Sequence, residues 1–517
     1  MPAFPTPTPS AAALPSPDQP AAPSPGPESS SAGQAPSLSE TRRRLIERID
    51  AIFSDPRFRN AFWGVIVQSE DGRDTLYARN PNKSFMPASN TKLLTTAAAL
   101  HYLGEDFRWQ TQLFWTGTLE RESGTLQGDL IIAGSGDPTI SGRYRTDDTT
   151  TTGILDQWAE AVARLGVRRV TGSVVGDGSY FTGEMFEPTW ELEDVPYWYA
   201  TGVTALAAND NCFDFEIRPG PAPGKPARIT VGPSPGFITV VNEVVTGGAA
   251  AETKIDWWRW PESNTVRFFG SIAVNDAPYR HFAALYDGNR FTAQLFKERL
   301  EARGIVVEGE AVGRTAGGNP AVDSTPPGQL IYTHLSPPLR EVVAMINKPS
   351  QNFYADMLVR TLGRIVKGEG SFARGTEAVR DFLALAGAPD LERLNLRDGS
   401  GLSRRNLVQP NHLVAVLTYA ARQSWFPAFF ESLPAAGREG TLSRRLPRAA
   451  ATGAVRAKTG TLAHVRGLSG YVTTAGGSRL IFVTLANHYT VTHAEAGRLQ
   501  DDLCELLMTL RDEDLAP

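Results

Sequence analysis

Pro87-Ala88-Ser89-Asn90-Thr91-Lys92-Leu93 opens a stretch in which Leu93, Leu94, Ala97 and Leu100 recur at helical spacing, so a helix is expected from about Ser89 to Leu103. Residues three apart on a helix share a face, which sets the Ser89 hydroxyl beside the Lys92 ammonium. A serine hydroxyl is a poor nucleophile until a base takes its proton, and a lysine serves as that base once desolvation lowers its pKa. Ser89 also stands at the expected helix start, where free backbone N–H groups stabilise developing negative charge. Taken alone the pattern is weak: a Ser-x-x-Lys match arises by chance about once in a chain this long, and the plain alternative is a surface helix.

Two further stretches complete a set. Met345-Ile346-Asn347-Lys348-Pro349 leads into Ser350-Gln351-Asn352, where Pro349 discourages helix at Lys348. Ser350 is therefore expected to cap the helix carrying Tyr354, Met357, Leu358 and Leu362, or else to relay protons beside Lys92, with Asn352 orienting that lysine. Lys458-Thr459-Gly460-Thr461 follows a strand-like Ala454-Val455-Arg456-Ala457 and offers a cation and two hydroxyls to a carboxylate, with Gly460 leaving room for a substrate backbone. The order Ser-x-x-Lys, Ser-x-Asn, Lys-Thr-Gly is the set found in penicillin-binding proteins and class A β-lactamases.

On these motifs the chain resembles the class C low-molecular-mass penicillin-binding proteins, the S13-type D-alanyl-D-alanine carboxypeptidase/endopeptidase group, from about residue 41 to 511. Gly134-Ser135-Gly136-Asp137-Pro138, Asp398-Gly399-Ser400-Gly401-Leu402-Ser403, Leu433-Pro434-Ala435-Ala436-Gly437 and Gly440-Thr441-Leu442 add to the resemblance. So does the gap of 261 positions between Ser89 and Ser350, because such proteins carry extra β-rich domains there while a class A β-lactamase has only a short stretch. The resemblance implies an α+β fold: an antiparallel sheet covered by helices, from residues 39–107 and 337–517, interrupted by a β-rich insertion of two smaller domains at 108–336. It implies that Ser89 is acylated, that Lys92, Ser350, Asn352 and Lys458 serve that step, and that Thr459, Gly460 and Thr461 bind substrate. Asp194 and Tyr199, within Trp190-Glu191-Leu192-Glu193-Asp194-Val195-Pro196-Tyr197-Trp198-Tyr199, are expected beside a diaminopimelate side chain, although an ordinary turn with core aromatics reads equally well. Gln351 stands where the family often has Asp. The implied partners are peptidoglycan peptides and β-lactam antibiotics, with no cofactor and no metal. The implied site of action is outside the cytoplasm.

Composition agrees with a soluble globular chain. It has 517 residues, 41% hydrophobic and 21% charged, enough for two or three domains. A net charge of -5 argues against a nucleic-acid partner. No window approaches a membrane span. Residues 1–38, rich in Pro, Ala and Ser, read as an unfolded tether without a secretory signal, so a removed leader or a differently placed start codon is expected. Cys212 and Cys504 are expected to be two buried thiols. Ser37 with Glu40 resembles a capping box ahead of a helix whose face is Leu45, Ile46, Ile49, Ile52 and Phe53. Strands are expected at 62–69 and 75–78 around Asp71-Gly72, and short strands from about 108 to 335 with one amphipathic helix near 291–303. Helices follow at 338–367, 372–386 and 410–422, then strands at 466–473 and 479–487 and a helix at 492–511. A homo-oligomer is compatible with all of this.

Three rival readings stand beside the resemblance. Gly232-Pro233-Ser234-Pro235-Gly236 has the spacing of an esterase nucleophile elbow, but Pro235 lacks the N–H that an oxyanion hole needs there, so 232–236 is read as a loop. His464 is read as structural, and no histidine pair has metal-binding spacing. A penicillin-sensing wall protein, or a β-lactamase or D-amino-acid amidase, shares the same motifs.

Overall fold

Trp63 through Gln68 are all buried on the strand Phe62–Ser69. Alternate side chains of a strand face opposite ways, so continuous burial demands cover on both faces. Ile66 joins Ile481, Val483 and Leu485 in a core shared with the helices Thr91–Leu103, Leu339–Asn347, Asn352–Lys367, Phe372–Leu385 and Pro410–Ala420. Val65 and Val67 face the other way, onto Glu40–Phe53 and His493–Met508. The sheet between these layers is antiparallel, in the order Val455–Leu462, Val465–Thr473, Arg479–Asn487, Phe62–Ser69, Thr75–Arg79. The chain is α+β, as the resemblance implies.

This computed structural model describes residues 39–143, 152–315, 328–449 and 452–515; the Pro-rich stretch 1–38, expected to be a tether, lies outside them. Ser39, not Ser37, caps the first helix, its hydroxyl accepting from Arg42 N at 3.1 Å. Leu45, Ile49 and Phe53 of the expected face are buried and Ile46 and Ile52 pack beside them. The helical stretch 338–367 is two helices, parted at Lys348-Pro349-Ser350.

The middle of the chain leaves and returns at one place. Gln110–Trp115 pairs antiparallel with Gln329–Leu335, and Trp109 and Ser336 exchange N–H···O bonds at their base. Between them lie short strands in four small sheets that share a second apolar core. The expected helix is present as Gly288–Glu301. A second helix, Gly153–Arg164, was not read from the sequence, although Ile154, Leu155, Trp158, Ala159 and Val162 fall on one face. It is short and set among strands, and its face becomes meaningful only against its partner, where Trp158 meets Phe296 edge-on at 6.1 Å. Residues 232–236 run from the last residue of the strand Arg228–Gly232 into the 3-10 turn Pro235–Phe237, with Ser234 bound to Glu298. Cys212 and Cys504 are both buried and free.

Arg360 ties the middle region to the helical layer. Its buried guanidinium, flanked by the rings of Phe181 and Phe372, donates to the carbonyls of Thr182 at 2.6 Å, Val203 at 2.8 Å, Gly370 at 3.0 Å and Glu184 at 3.1 Å. Arg360→Leu strands the carbonyls of Thr182, Val203 and Glu184, while that of Gly370 keeps Thr182 N at 3.1 Å, and each buried orphan costs about 1–3 kcal/mol. Denaturant unfolding of this variant should show a loss of about 3 kcal/mol or more; a loss below about 1 kcal/mol would mean that the carbonyls find other donors.

Candidate active site

The turn before Thr91–Leu103 is a single 3-10 turn, Ala88–Asn90, so Ser89 precedes the regular helix rather than opening it. Ala88 sits at φ 48, a left-handed conformation costly for a residue with a Cβ. That turn lifts the half-buried Ser89 hydroxyl above fully buried Lys92. Lys92 Nζ has three hydrogen-bond partners: Asn352 Oδ1 at 2.7 Å, the Ser400 carbonyl at 2.7 Å and Ser89 Oγ at 2.9 Å.

Those partners decide what Lys92 can do. Asn352 Nδ2 donates to the Tyr199 carbonyl at 2.9 Å, which fixes Oδ1 as the atom facing the lysine. Asn352 Oδ1 and the Ser400 carbonyl only accept, so a neutral Lys92 gives them both of its N–H bonds. Its lone pair is left for the Ser89 proton. Burial drives the lysine toward that neutral form, to about 7, opposed by the charges of Asp356 and Asp398.

Ser400 is held from behind. Asp356 Oδ1 accepts from the N–H groups of Gly399 and Ser400, both at 2.9 Å, and Asp398 Oδ1 accepts from Gly401 N at 2.8 Å. Burial pushes the Asp356 carboxyl well above the usual carboxylate range. Gly401 has φ +87, and a Cβ there would lie 1.8 Å from the Ala88 carbonyl, so this loop and the Ser89 turn fit together only with glycine.

Ser350 departs from the cap expectation, and its hydroxyl sits on Lys458 rather than on Lys92. It is not the helix cap: Gln351 is, accepting from Phe353 N at 3.0 Å, while Ser350 adopts φ 66. Nor is its hydroxyl a partner of Lys92; Lys458 Nζ donates to it at 2.8 Å and to the Thr459 carbonyl at 2.9 Å. Burial, and secondarily the charge of Lys92, holds Lys458 well below the usual lysine range. Gly460 spends its free space on the protein itself, since a Cβ would lie 2.7 Å from both the Pro87 carbonyl and Asn90 Nδ2. Thr459 Oγ1 donates to Thr441 Oγ1 at 2.8 Å, and Thr461 Oγ1 accepts from Arg466 at 2.8 Å. Val455–Leu462 is an edge strand. Ala457 N reaches outward to the Pro434 carbonyl at 3.1 Å, so by the two-residue period the Thr461 N–H points to the same open edge.

Asp194 and Tyr199 stand on two 3-10 turns, Leu192–Asp194 and Trp198–Ala200, with the Tyr199 hydroxyl donating to Asp194 Oδ1 at 3.0 Å. They line a cleft of about 430 Å³ together with Ser89, Ser350, Asn352, Arg404 and Thr461. Burial raises the Asp194 carboxyl against the Tyr199 hydrogen bond, and Glu191 and Glu193 raise it further. His464 lies outside the cleft lining, its Nδ1 2.9 Å from the Tyr489 carbonyl.

A family model described as D-Ala-D-Ala carboxypeptidase 3 (S13) matches residues 45–509. The chain belongs to that family. Within the S13 family it is 36% identical over 454 residues to a D-alanyl-D-alanine carboxypeptidase of an Actinomadura species, covering 85% of this chain and 81% of the relative. It is 28% identical over 455 residues to the D-alanyl-D-alanine carboxypeptidase DacB of Haemophilus influenzae, covering 87% and 90%. The crystal structure of penicillin binding protein 4 from Haemophilus influenzae superposes with a TM-score of 0.76 at 26% identity, over 92% of this chain and all of that one. The same protein complexed with a β-lactam superposes with a TM-score of 0.72.

Asp356, Ser400, Thr441 and Arg466 were not singled out as site residues. Two of them lay inside stretches noted for resemblance, and the glycines around Ser400 were the available signal of close backbone approach. Because Lys92 loses its proton near 7, the rate at which a penicillin acylates Ser89 should rise with pH through about 7 and then level off. A rate flat from pH 5 to 9, by stopped labelling with a fluorescent penicillin, would contradict the neutral-lysine assignment.

Proposed function

We propose that this chain is a serine-type D-alanyl-D-alanine carboxypeptidase/endopeptidase acting on peptidoglycan stem peptides through an acyl-enzyme on Ser89. The observation that carries the reading is the lone pair of Lys92, left for the Ser89 hydroxyl at 2.9 Å by two pure acceptors. Membership of the S13 family, with relatives named D-alanyl-D-alanine carboxypeptidases, supplies the reaction class.

In this mechanism Lys92 takes the Ser89 proton and Oγ attacks the carbonyl between the two D-alanines. Negative charge on that oxygen develops between the N–H groups of Ser89 and Thr461, which need no reorganisation to meet it. Lys458 donates to Ser350 Oγ, so the Ser350 proton is free to pass to the leaving amine as the C–N bond breaks. Lys458 with the hydroxyls of Thr459 and Thr461 receives the terminal carboxylate, and an arriving anion restores the charge that burial takes from the lysine. Asp194 beside Tyr199 receives the side-chain ammonium of a diaminopimelate residue. Water then cleaves the ester and releases the enzyme. β-Lactams enter the same path because their strained amide mimics the dipeptide. Such a substrate places the protein outside the cytoplasm; among the described residues no helix is long and apolar enough to cross a membrane.

Incubation with a fluorescent penicillin should label the protein covalently, and Ser89→Ala should abolish the label. Release of D-alanine from a diaminopimelate pentapeptide should fall by at least about a thousandfold in that variant. An unlabelled wild type sinks the proposal, and labelling without D-alanine release points to a penicillin sensor instead. Asp194→Asn should raise KM for the diaminopimelate peptide about tenfold while leaving penicillin acylation within about twofold.

A further inference from the structure

Arg466 is a cation that the fold does not neutralise. It stands on Val465–Thr473 directly across from Thr461 in the sheet register. Its side chain is partly buried, its Nε is fully enclosed without a hydrogen-bond partner, and among the described residues no carboxylate pairs with it. Asp501, the carboxylate of its neighbourhood, is engaged by Arg445 at 2.7 Å. A partly desolvated guanidinium without a paired carboxylate is costly for a fold to keep.

What Arg466 does contact is Thr461 Oγ1, at 2.8 Å from its NH1. A hydroxyl has one proton and two lone pairs. With one lone pair occupied by the guanidinium, the Thr461 proton turns away from Arg466, and Thr461 is an exposed residue of the cleft lining. Lys458, the amine of that wall, is fully buried and already committed to Ser350 and the Thr459 carbonyl.

We propose that Arg466 is a positioning residue that makes this enzyme selective for a carboxylate next to the scissile bond, by aiming the Thr461 hydroxyl as a donor and placing an unpaired positive charge behind it. The missing counterion of Arg466 is then the substrate's own carboxylate, met through Thr461. This rests on the acyl-transfer reading above and adds to it the source of discrimination between an anionic and a neutral leaving group.

The test uses two acyl thioesters whose leaving thiols differ only in bearing a carboxylate or its primary amide, so that both react at measurable rates. Wild-type protein should prefer the carboxylate form in kcat/KM. In Arg466→Gln that preference should shrink by about 10- to 100-fold, through a loss concentrated on the anionic thioester. Arg466→Lys, which keeps the charge without the planar fork, should hold an intermediate preference. Raising ionic strength should compress the preference of the wild type, a readout that does not depend on any variant folding. An equal loss on both thioesters, or a preference insensitive to both the substitution and salt, overturns the assignment. A wild type that turns over neither thioester overturns the acyl-transfer reading itself.

Discussion

One buried amine organises this molecule. Burying a lysine costs several kcal/mol unless its N–H bonds are satisfied, or its proton is given up. Here the partners come from three separate segments: the Ser89 turn, the Asn352 helix and the loop at Ser400. Each partner is held in turn, Asn352 by the Tyr199 carbonyl and Ser400 by Asp356. Tyr199 belongs to the inserted middle region, so the orientation of the lysine depends on how that region docks.

Strain gathers around the same point. Ala88, before the nucleophile, and Ser350, at the second hydroxyl, both have positive φ. Such residues cost about 1–3 kcal/mol each and persist only where the surroundings over-determine them. Gly401 and Gly460 admit the Ala88 turn, while Thr441 N and the Lys348 carbonyl, 3.0 Å apart, pin the approach to Ser350. The chain tolerates poor backbone conformations at the residues carrying its two hydroxyls and pays with glycine elsewhere.

Much of this was legible before the fold was seen. Period-two and period-3.6 patterns placed the central strands and the helices around them because those elements bury fixed faces. The family resemblance implied that Ser89, Lys92, Asn352 and Lys458 act together; Ser89 and Asn352 line the cleft, while Lys92 and Lys458 are buried and meet it through Ser89 and Ser350. Ser350 resisted for a local reason: a residue after Pro looks like a cap, and nothing in Ser-Gln-Asn shows that the glutamine side chain takes that duty. Gly460 was read toward substrate when its room is taken by the Ser89 turn, since a one-dimensional string does not say which side a missing Cβ faces. Asp356 and Arg466 were invisible because their meaning lies in long-range partners. An aspartate in mid-helix and an arginine on a strand carry no pattern of their own.

The sheet that carries the chemistry joins the two ends of the polypeptide. Met86 and Asn487, 401 positions apart, exchange two hydrogen bonds, and Phe62–Ser69 lies flush against Arg479–Asn487. The middle region meets itself at Trp109 and Ser336, besides the carbonyls it presents to Asn352 and Arg360. Loop closure of such length is slow and pairing of distant strands comes late. During synthesis the inserted region therefore has the means to mature first, while the Ser89 segment waits, its apolar helix uncovered, for the last strands to arrive. A chain that stops before Val455–Leu462 lacks the strand that bears Lys458 and Thr461.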